Sequence, residues 1–522
     1  MSRAVVVGGG ITGLATAALL ARDGWSVDVL ERRDELGGRA GSLEVDGFRF
    51  DTGPSWWLMP EVFDHFFAML GTTTAEQLDL ERLDPGYRVF YEGLDEPVDV
   101  RAGRAANVAL FEELEPGAGR RLEAYLDSAR RVYELSVSRF LYTSFESPRS
   151  LLKADVLRRG GELTSLLTRS LESRVARSFR DRRLRQVLGY PAVFLGTSPD
   201  RAPSMYHLMS WMDLGDDGVL YPRGGFSRLI EAVAGLAREH GARLHTGCEA
   251  TAVRTRPGGR RARVTGVDYV DADGRPAALE ADVVVGAADL HHVETALVAP
   301  ELQTYPQSWW DKQVSGPGAV LAFLGVDGTL PELAHHSLFF TADWKDNFDA
   351  IFERPTRVPD PASVYVCRPS ATDHTVAPPG MENLFLLVPV PADVGIGHGG
   401  RDGAGDPAVE KATDAAIAQV ADWAGIADLA ARVRVRHTVG PADFADDLHS
   451  WRGGALGPGH VLTQSAFFRA RNASRKVDGL LYAGYSTIPG IGLPMCLISA
   501  ELVLKRLRGD RSTGPSAPSA QR

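Results

Sequence analysis

Six residues near the N-terminus, Gly8-Gly9-Gly10-Ile11-Thr12-Gly13, restrict this chain more than any other stretch of it. They match G-x-G-x-x-G, and they lie between a short apolar run, Ala4 to Val7, and a segment from Ile11 to Arg22 in which Leu14, Ala18 and Leu19 recur at helical spacing. A second strand-like run, Ser26 to Leu30, ends at Glu31, 18 positions after Gly13. Strand, glycine turn, helix and strand make a βαβ unit whose parallel strands lie side by side. In that setting Gly8 makes the tight turn, Gly10 admits a pyrophosphate, and Gly13 lets helix and sheet pack closely. Anion binding falls to backbone N–H groups of the turn and of Ile11 and Thr12, at the positive end of the helix dipole. Glu31, with Arg32 beside it, is placed to accept hydrogen bonds from ribose hydroxyls. The pattern specifies a dinucleotide and leaves FAD and NAD both open.

A chain of 522 residues exceeds what one hydrophobic core normally supports, so two lobes are expected. With 44% hydrophobic and 24% charged residues the composition is that of an ordinary globular protein. A formal net charge of -10 excludes a whole-protein electrostatic grip on nucleic acid. Cys248, Cys367 and Cys496 are far apart and unpaired by any C-x-x-C, which fits a reducing compartment and buried, inert thiols. The N-terminal apolar run is broken by glycines and is not read as a signal peptide. The longest apolar runs, such as 318–326 and 384–392, are shorter than a membrane span.

Further along, residues 61–185 read as largely helical, 226–240 as a helix, 250–254 and 281–286 as strands with an Asp273-Gly274 hairpin turn between them. Residues 318–326 and 384–390 read as strands, 406–424 as a helix, and 480–483 as a buried strand leading into a glycine-rich turn and a closing helix. The organisation expected is discontinuous. Residues 1–70, 221–290 and 475–507 form the nucleotide domain, 71–220 and 291–474 a second domain, and 508–522 a disordered tail rich in Ser, Pro and Gly.

Leu36-Gly37-Gly38-Arg39-Ala40-Gly41-Ser42 resembles the second glycine motif of the FAD-dependent amine oxidase and carotenoid desaturase superfamily, where the loop and its Arg lie against the pyrophosphate. The stretch Asp46 to Ser55, with Gly53-Pro54-Ser55, is similar to that superfamily's turn past the flavin. Gly484-Tyr485, followed by Ile488-Pro489-Gly490-Ile491-Gly492-Leu493-Pro494-Met495, resembles its closing turn and helix, whose N-terminus would face the flavin's pyrimidine edge. Strand 249–254 resembles the one beside the adenine, making Val253 a backbone contact. Three more blocks, around 182–225, 369–391 and 462–469, extend the likeness to bacterial and fungal phytoene desaturases over residues 1 to about 507. The resemblance implies an α/β fold: a Rossmann-like FAD-binding domain, a discontinuous α+β substrate domain and a helical membrane-facing region. It implies FAD as cofactor and an apolar polyene, phytoene or a related carotenoid, as substrate. One departure stands out: many members carry Thr-His-Pro-Gly in the closing turn, and this chain has Thr487-Ile488-Pro489-Gly490. The acid-base role of that His does not carry over, and no catalytic residue is assigned.

Such a substrate resides in a membrane. Residues 139–185 hold twelve Lys or Arg against five acids, with Leu163, Leu166, Leu167, Leu171 and Val175 at helical spacing. An amphipathic helix resting on anionic headgroups is one reading, and a core-facing helix with a solvated basic face is the other. The first implies a cytoplasmic protein held peripherally at the inner face of the cell membrane. His291-His292 and His335-His336 are read as no metal site, because nearby acid or Cys spacing completes neither. Nothing in the sequence specifies an oligomer. An amine oxidase and a non-catalytic flavin-binding scaffold are the alternatives to a carotenoid desaturase.

Overall fold

The computed structural model describes residues 1–145, 160–215 and 218–518. The glycine turn sits as expected between strand β1 (Arg3–Val7) and helix α1 (Ile11–Arg22), with strand β2 (Ser26–Leu30) alongside β1. A five-stranded sheet runs in the order Leu480–Tyr482, Val283–Gly286, β1, β2, Arg243–His245, and every neighbouring pair is parallel. Its strands come from the beginning, middle and end of the chain. Residues 11–21 of α1 are all buried, and their many small side chains let the helix lie close to the sheet. Helices Ser227–Glu239 and Leu493–Arg508 pack against α1. Leu14, Leu20 and Val503, each fully buried here, contribute roughly 1.5–3 kcal/mol apiece by leaving water.

A second sheet, of seven strands, runs in the order Val433–Val439, Gly318–Asp327, Met381–Val390, Val364–Cys367, His336–Phe340, Tyr87–Tyr91, Val98–Val100. Its strands alternate strictly, so successive side chains serve different faces. Val320, Ala322, Leu324, Leu384, Leu386 and Val388 pack under the helix Pro407–Ala424. Ala319, Leu321, Phe385 and Leu387 point the other way, into a cavity. Because both faces are covered, 318–326 reads as one continuous apolar run.

Local periodicity missed several of these elements. Residues 61–185 are not uniformly helical: Leu80–Arg82, Tyr87–Tyr91 and Val98–Val100 are strands. Tyr87–Tyr91 earns its conformation by parallel pairing with His336–Phe340, some 250 residues away, which no local pattern announces. The Leu163–Val175 stripe is split between helices Gly160–Thr168 and Leu171–Ser178, the second capped by Ser170. Leu171 and Val175 are buried against Phe179 and Leu184, so this part of the stripe serves the core. Arg149, Lys153, Arg158 and Arg159 lie outside the described residues. The tail, expected to be disordered, is held at least to Ser516: Lys505 Nζ donates to the carbonyls of Ser512 and Gly514, and Ser516 N–H donates to Glu501 Oε1 at 2.7 Å. A buried lysine and a buried glutamate on the closing helix need partners, and the tail supplies them. No helix among the described residues is long and apolar enough to cross a membrane.

Candidate active site

A continuous cavity of about 740 Å³ takes in the glycine turn and one face of the seven-stranded sheet. Gly13 and Gly10 stand differently toward this cavity. A Cβ on Gly13 would lie 1.9 Å from Gly8 O, so Gly13 is a packing residue that does not reach the cavity. A Cβ on Gly10 would meet no protein atom nearer than 3.8 Å and would project into the open cradle. The Gly37-Gly38 loop lies directly on this turn, with Gly37 N–H donating to Gly9 O at 2.9 Å. Gly53 is pressed on Arg39, where a Cβ would stand 2.1 Å from its carbonyl oxygen.

Gly8, Gly10, Ile11, Thr12, Glu31, Arg32, Gly37, Gly38, Arg39, Gly53, Pro54, Ser55, Tyr485, Ile491, Leu493, Pro494 and Met495 all line the cavity, whereas Gly13, Val253 and Gly484 do not. Gly484 stands behind the wall, its N–H donating to Ser499 Oγ at 2.9 Å. Val253 stands off this cavity. It packs in the core with Val264 and Val267, and Cys248, Glu249 and Ala250 face the cavity instead.

Glu31 accepts from Gly9 N–H at 2.6 Å and Arg33 N–H at 2.9 Å, so its carboxylate is fixed beside the turn. Arg32 donates to the carbonyls of Asp446 and Asp447, clamping the second domain to this end. Arg39 donates to Ala455 O at 3.1 Å and Ser450 Oγ at 2.6 Å, and its guanidinium lies 4.3 Å from the centre of the Tyr485 ring. His292 and His449, stacked at 3.9 Å, line the same end, and burial pushes the His292 imidazole down to about 4. The sequence placed His292 only in a rejected metal pair, and its contact with His449 has no sequence signal.

These residues fit FAD. The cradle is open where a pyrophosphate needs room, Glu31 stands where ribose hydroxyls need an acceptor, and Leu493–Arg508 aims its N-terminus, with Pro494 in the first turn, at the cavity.

Beyond the cradle the lining turns apolar. Ala319, Leu321, Phe385 and Leu387 form one wall, and Val193, Phe194, Met205 and Met209 face them. The cavity extends to Phe140, Phe145, Leu166, Leu167 and Phe467, beside the exposed Leu462 and Phe468.

Two polar groups stand out along it. His460 lies against the closing turn, its Nε2 accepting from Ile491 N–H at 3.3 Å and its Nδ1 2.6 Å from Tyr206 Oη. An imidazole thus adjoins the turn although position 488 is Ile, delivered from a segment whose sequence gave no hint of it. The second group is Ser55, Tyr365 and His336. Tyr365 Oη is 2.6 Å from Ser55 Oγ and 2.8 Å from His336 Nδ1. Behind them His335, His336 and Cys367 present ligating atoms within 4.8 Å of one another. The adjacent-histidine spacing concealed this, because Cys367 arrives by cross-strand pairing with His336. Burial holds both imidazoles far below their ordinary range and pushes the Cys367 thiol up, so at neutral pH the three are uncharged hydrogen-bonding groups.

A Rossmann-type cradle opening into a long apolar pocket defines a flavin-dependent oxidoreductase. The model of the flavin containing amine oxidoreductase family matches residues 11–503. A carotenoid 3,4-desaturase of Haloarcula japonica is 39% identical over 97% of this chain and 98% of its own length. A zeta-carotene-forming phytoene desaturase of Myxococcus xanthus is 35% identical over 97% and 93%. Among solved structures, an oxidoreductase from Methanosarcina mazei superposes with a TM-score of 0.63 at 15% identity, over 96% of this chain and all of that one. The chain therefore belongs to the flavin containing amine oxidoreductase family and, within it, to the carotenoid desaturases.

Proposed function

We propose that this enzyme desaturates an acyclic carotenoid taken from a membrane, with phytoene the first substrate to be expected. The observation that carries this reading is the continuity of the cavity: the same space that begins at Gly10 and Glu31 ends among Phe140, Phe145 and Leu167. When bound, FAD supplies two-electron oxidation, accepting a hydride from an allylic C–H. The protein's own work is then positional. The apolar walls align a substrate that has no polar handle, and they exclude water that would capture a cationic carbon. Arg39 and the N-terminus of Leu493–Arg508 stabilise negative charge at the cofactor.

Purified protein loaded with FAD is mixed anaerobically with phytoene-bearing liposomes, and the products are separated by pigment chromatography. Bleaching of the flavin with a longer polyene supports the reading, while flavin that stays oxidised overturns it. A later carotenoid is the second reading, favoured by the name of the Haloarcula relative. It is distinguished by whether the new double bond lies near a chain end.

Peripheral attachment to the cytoplasmic face of the membrane belongs to the same proposal. It is supported by the basic excess of residues 139–185 and by the exposed Leu462, Phe467 and Phe468 beside the cavity's apolar end. Charge reversal at Arg158, Arg159 and Arg169 is expected to release the protein from anionic liposomes in flotation, and unchanged flotation rejects that attachment.

A further inference from the structure

The register of the second sheet places Leu321, Leu387, Tyr365 and Leu338 in one row across four strands. All four line the cavity, so Tyr365 sets a hydroxyl in an otherwise apolar floor. It stands one hydrogen bond from Ser55, in the loop that follows Gly53-Pro54, and one from His336. His336 is sealed under the Trp56 indole, stacked at 4.5 Å and 12°, and its Nε2 has no partner among the described residues. The other imidazoles along the cavity are differently engaged. His460 has both nitrogens committed, to Ile491 and to Tyr206, and His292 and His449 lie at the end marked by Glu31.

We propose that Tyr365 is the catalytic residue that takes the proton during desaturation, passing its own phenolic proton to His336, which acts as the relay's positioning and receiving group. This rests on the carotenoid desaturase reading. An allylic C–H breaks and its electron pair leaves with the hydrogen, as hydride, to the oxidant FAD. The neighbouring C–H then breaks, its electron pair becomes the new C=C bond, and its proton goes to Tyr365 Oη as the O–H proton moves to His336 Nδ1. The substrate loses two electrons and two hydrogens in all, one as hydride and one as the proton now held by His336. Tyr365 Oη lies between Ser55 Oγ at 2.6 Å and His336 Nδ1 at 2.8 Å, and in the proposed relay Ser55 is the donor to Tyr365, which leaves the phenolic proton directed toward His336. Burial lowers the pKa of the His336 imidazole well below its ordinary range, which favours its neutral, proton-accepting form between turnovers. A weak base suffices, because a C–H beside a cationic carbon is strongly acidic.

The test uses full-length, FAD-loaded protein in anaerobic single turnover with carotenoid liposomes. Tyr365→Phe and His336→Gln are each expected to slow flavin bleaching by roughly 10²–10⁴-fold, the contribution of a positioned acid-base group, with FAD affinity unchanged. Gln retains an acceptor for the Tyr365 hydroxyl but cannot carry the proton, so it separates transfer from support. The wild-type rate is expected to fall in D₂O and the residual rate of Tyr365→Phe to be insensitive to it. Independently of turnover, ¹⁵N NMR of the resting protein should show the His336 Nδ1 resonance shift when Tyr365 is Phe. Either variant within threefold of wild type, or a solvent isotope effect that survives in Tyr365→Phe, overturns the proposal. Wild-type flavin that stays oxidised with every carotenoid supplied overturns the desaturase reading and this inference together, whereas rapid wild-type bleaching with rapid variants overturns the inference alone.

Discussion

A methyl group added at Gly10 would project into the cradle, and the protein alone would scarcely register it. Gly10 has φ -73° and ψ 176°, an extended conformation open to any residue, and its Cβ would lie 3.8 Å from the nearest atom, Gly37 O. Gly10→Ala should therefore leave the apoprotein unharmed or stabilise it by about 0.4–1 kcal/mol, since alanine has less freedom to lose on folding. A pyrophosphate seated on the turn would meet that methyl directly. Crowding of one methyl against a fixed group costs about 1–3 kcal/mol, which weakens FAD binding by roughly 5- to 150-fold. Gly13→Ala makes the opposite pattern: its Cβ would stand 1.9 Å from a backbone oxygen, so the apoprotein itself should unfold at lower temperature. Thermal unfolding of both apoproteins and FAD titration by fluorescence quenching separate the two effects. Wild-type FAD affinity in a folded Gly10→Ala protein would show that the cofactor does not lie on this turn.

Two further outcomes follow from buried groups. Asp213 accepts from Tyr190 at 2.8 Å and Tyr87 at 3.2 Å, and burial pushes its carboxyl from 3.8 up to about 7. Between those values the unfolded chain has released the proton and the folded one retains it, so stability falls as pH rises, by up to about 1.4 kcal/mol per pH unit. Asp51, also raised to about 7, titrates in the same window, so Asp213→Asn should remove about half the loss of urea stability between pH 5 and 8. An unchanged slope would refute the assignment. Ala319→Leu adds bulk to the cavity wall remote from the glycine turn and should preserve FAD content while lowering carotenoid turnover at least about tenfold, read as kcat/KM, since overpacking a filled pocket costs about 1–3 kcal/mol. Equal turnover would mean that the substrate does not pass Ala319.

The nucleotide half of this enzyme was readable because its determinants are local. Gly8 to Gly13, Glu31 and Gly37 to Arg39 are short segments whose spacing is dictated by one turn and two strand ends, and all but the packing residues Gly9 and Gly13 face the cavity. Val253 shows the limit even there: a strand's existence is legible, but which of its residues meets a ligand depends on where the neighbouring strands bring it. The substrate half was hidden for the same reason on a larger scale. Ser55 and Tyr365 are 310 positions apart, and His336 joins them through a strand pairing that neither sequence neighbourhood encodes. His460 was equally silent, since its importance comes from Ile491, which it meets only after the chain has folded back.

The strand Leu480–Tyr482 occupies an edge of the five-stranded sheet, and the helix beginning at Leu493 completes the cradle begun by residues 8–13. The cradle is therefore closed only when segments more than 450 residues apart in sequence have come together. A polypeptide without residues 480–508 would lack both that sheet edge and the helix that packs on α1, and with them one wall of the cradle.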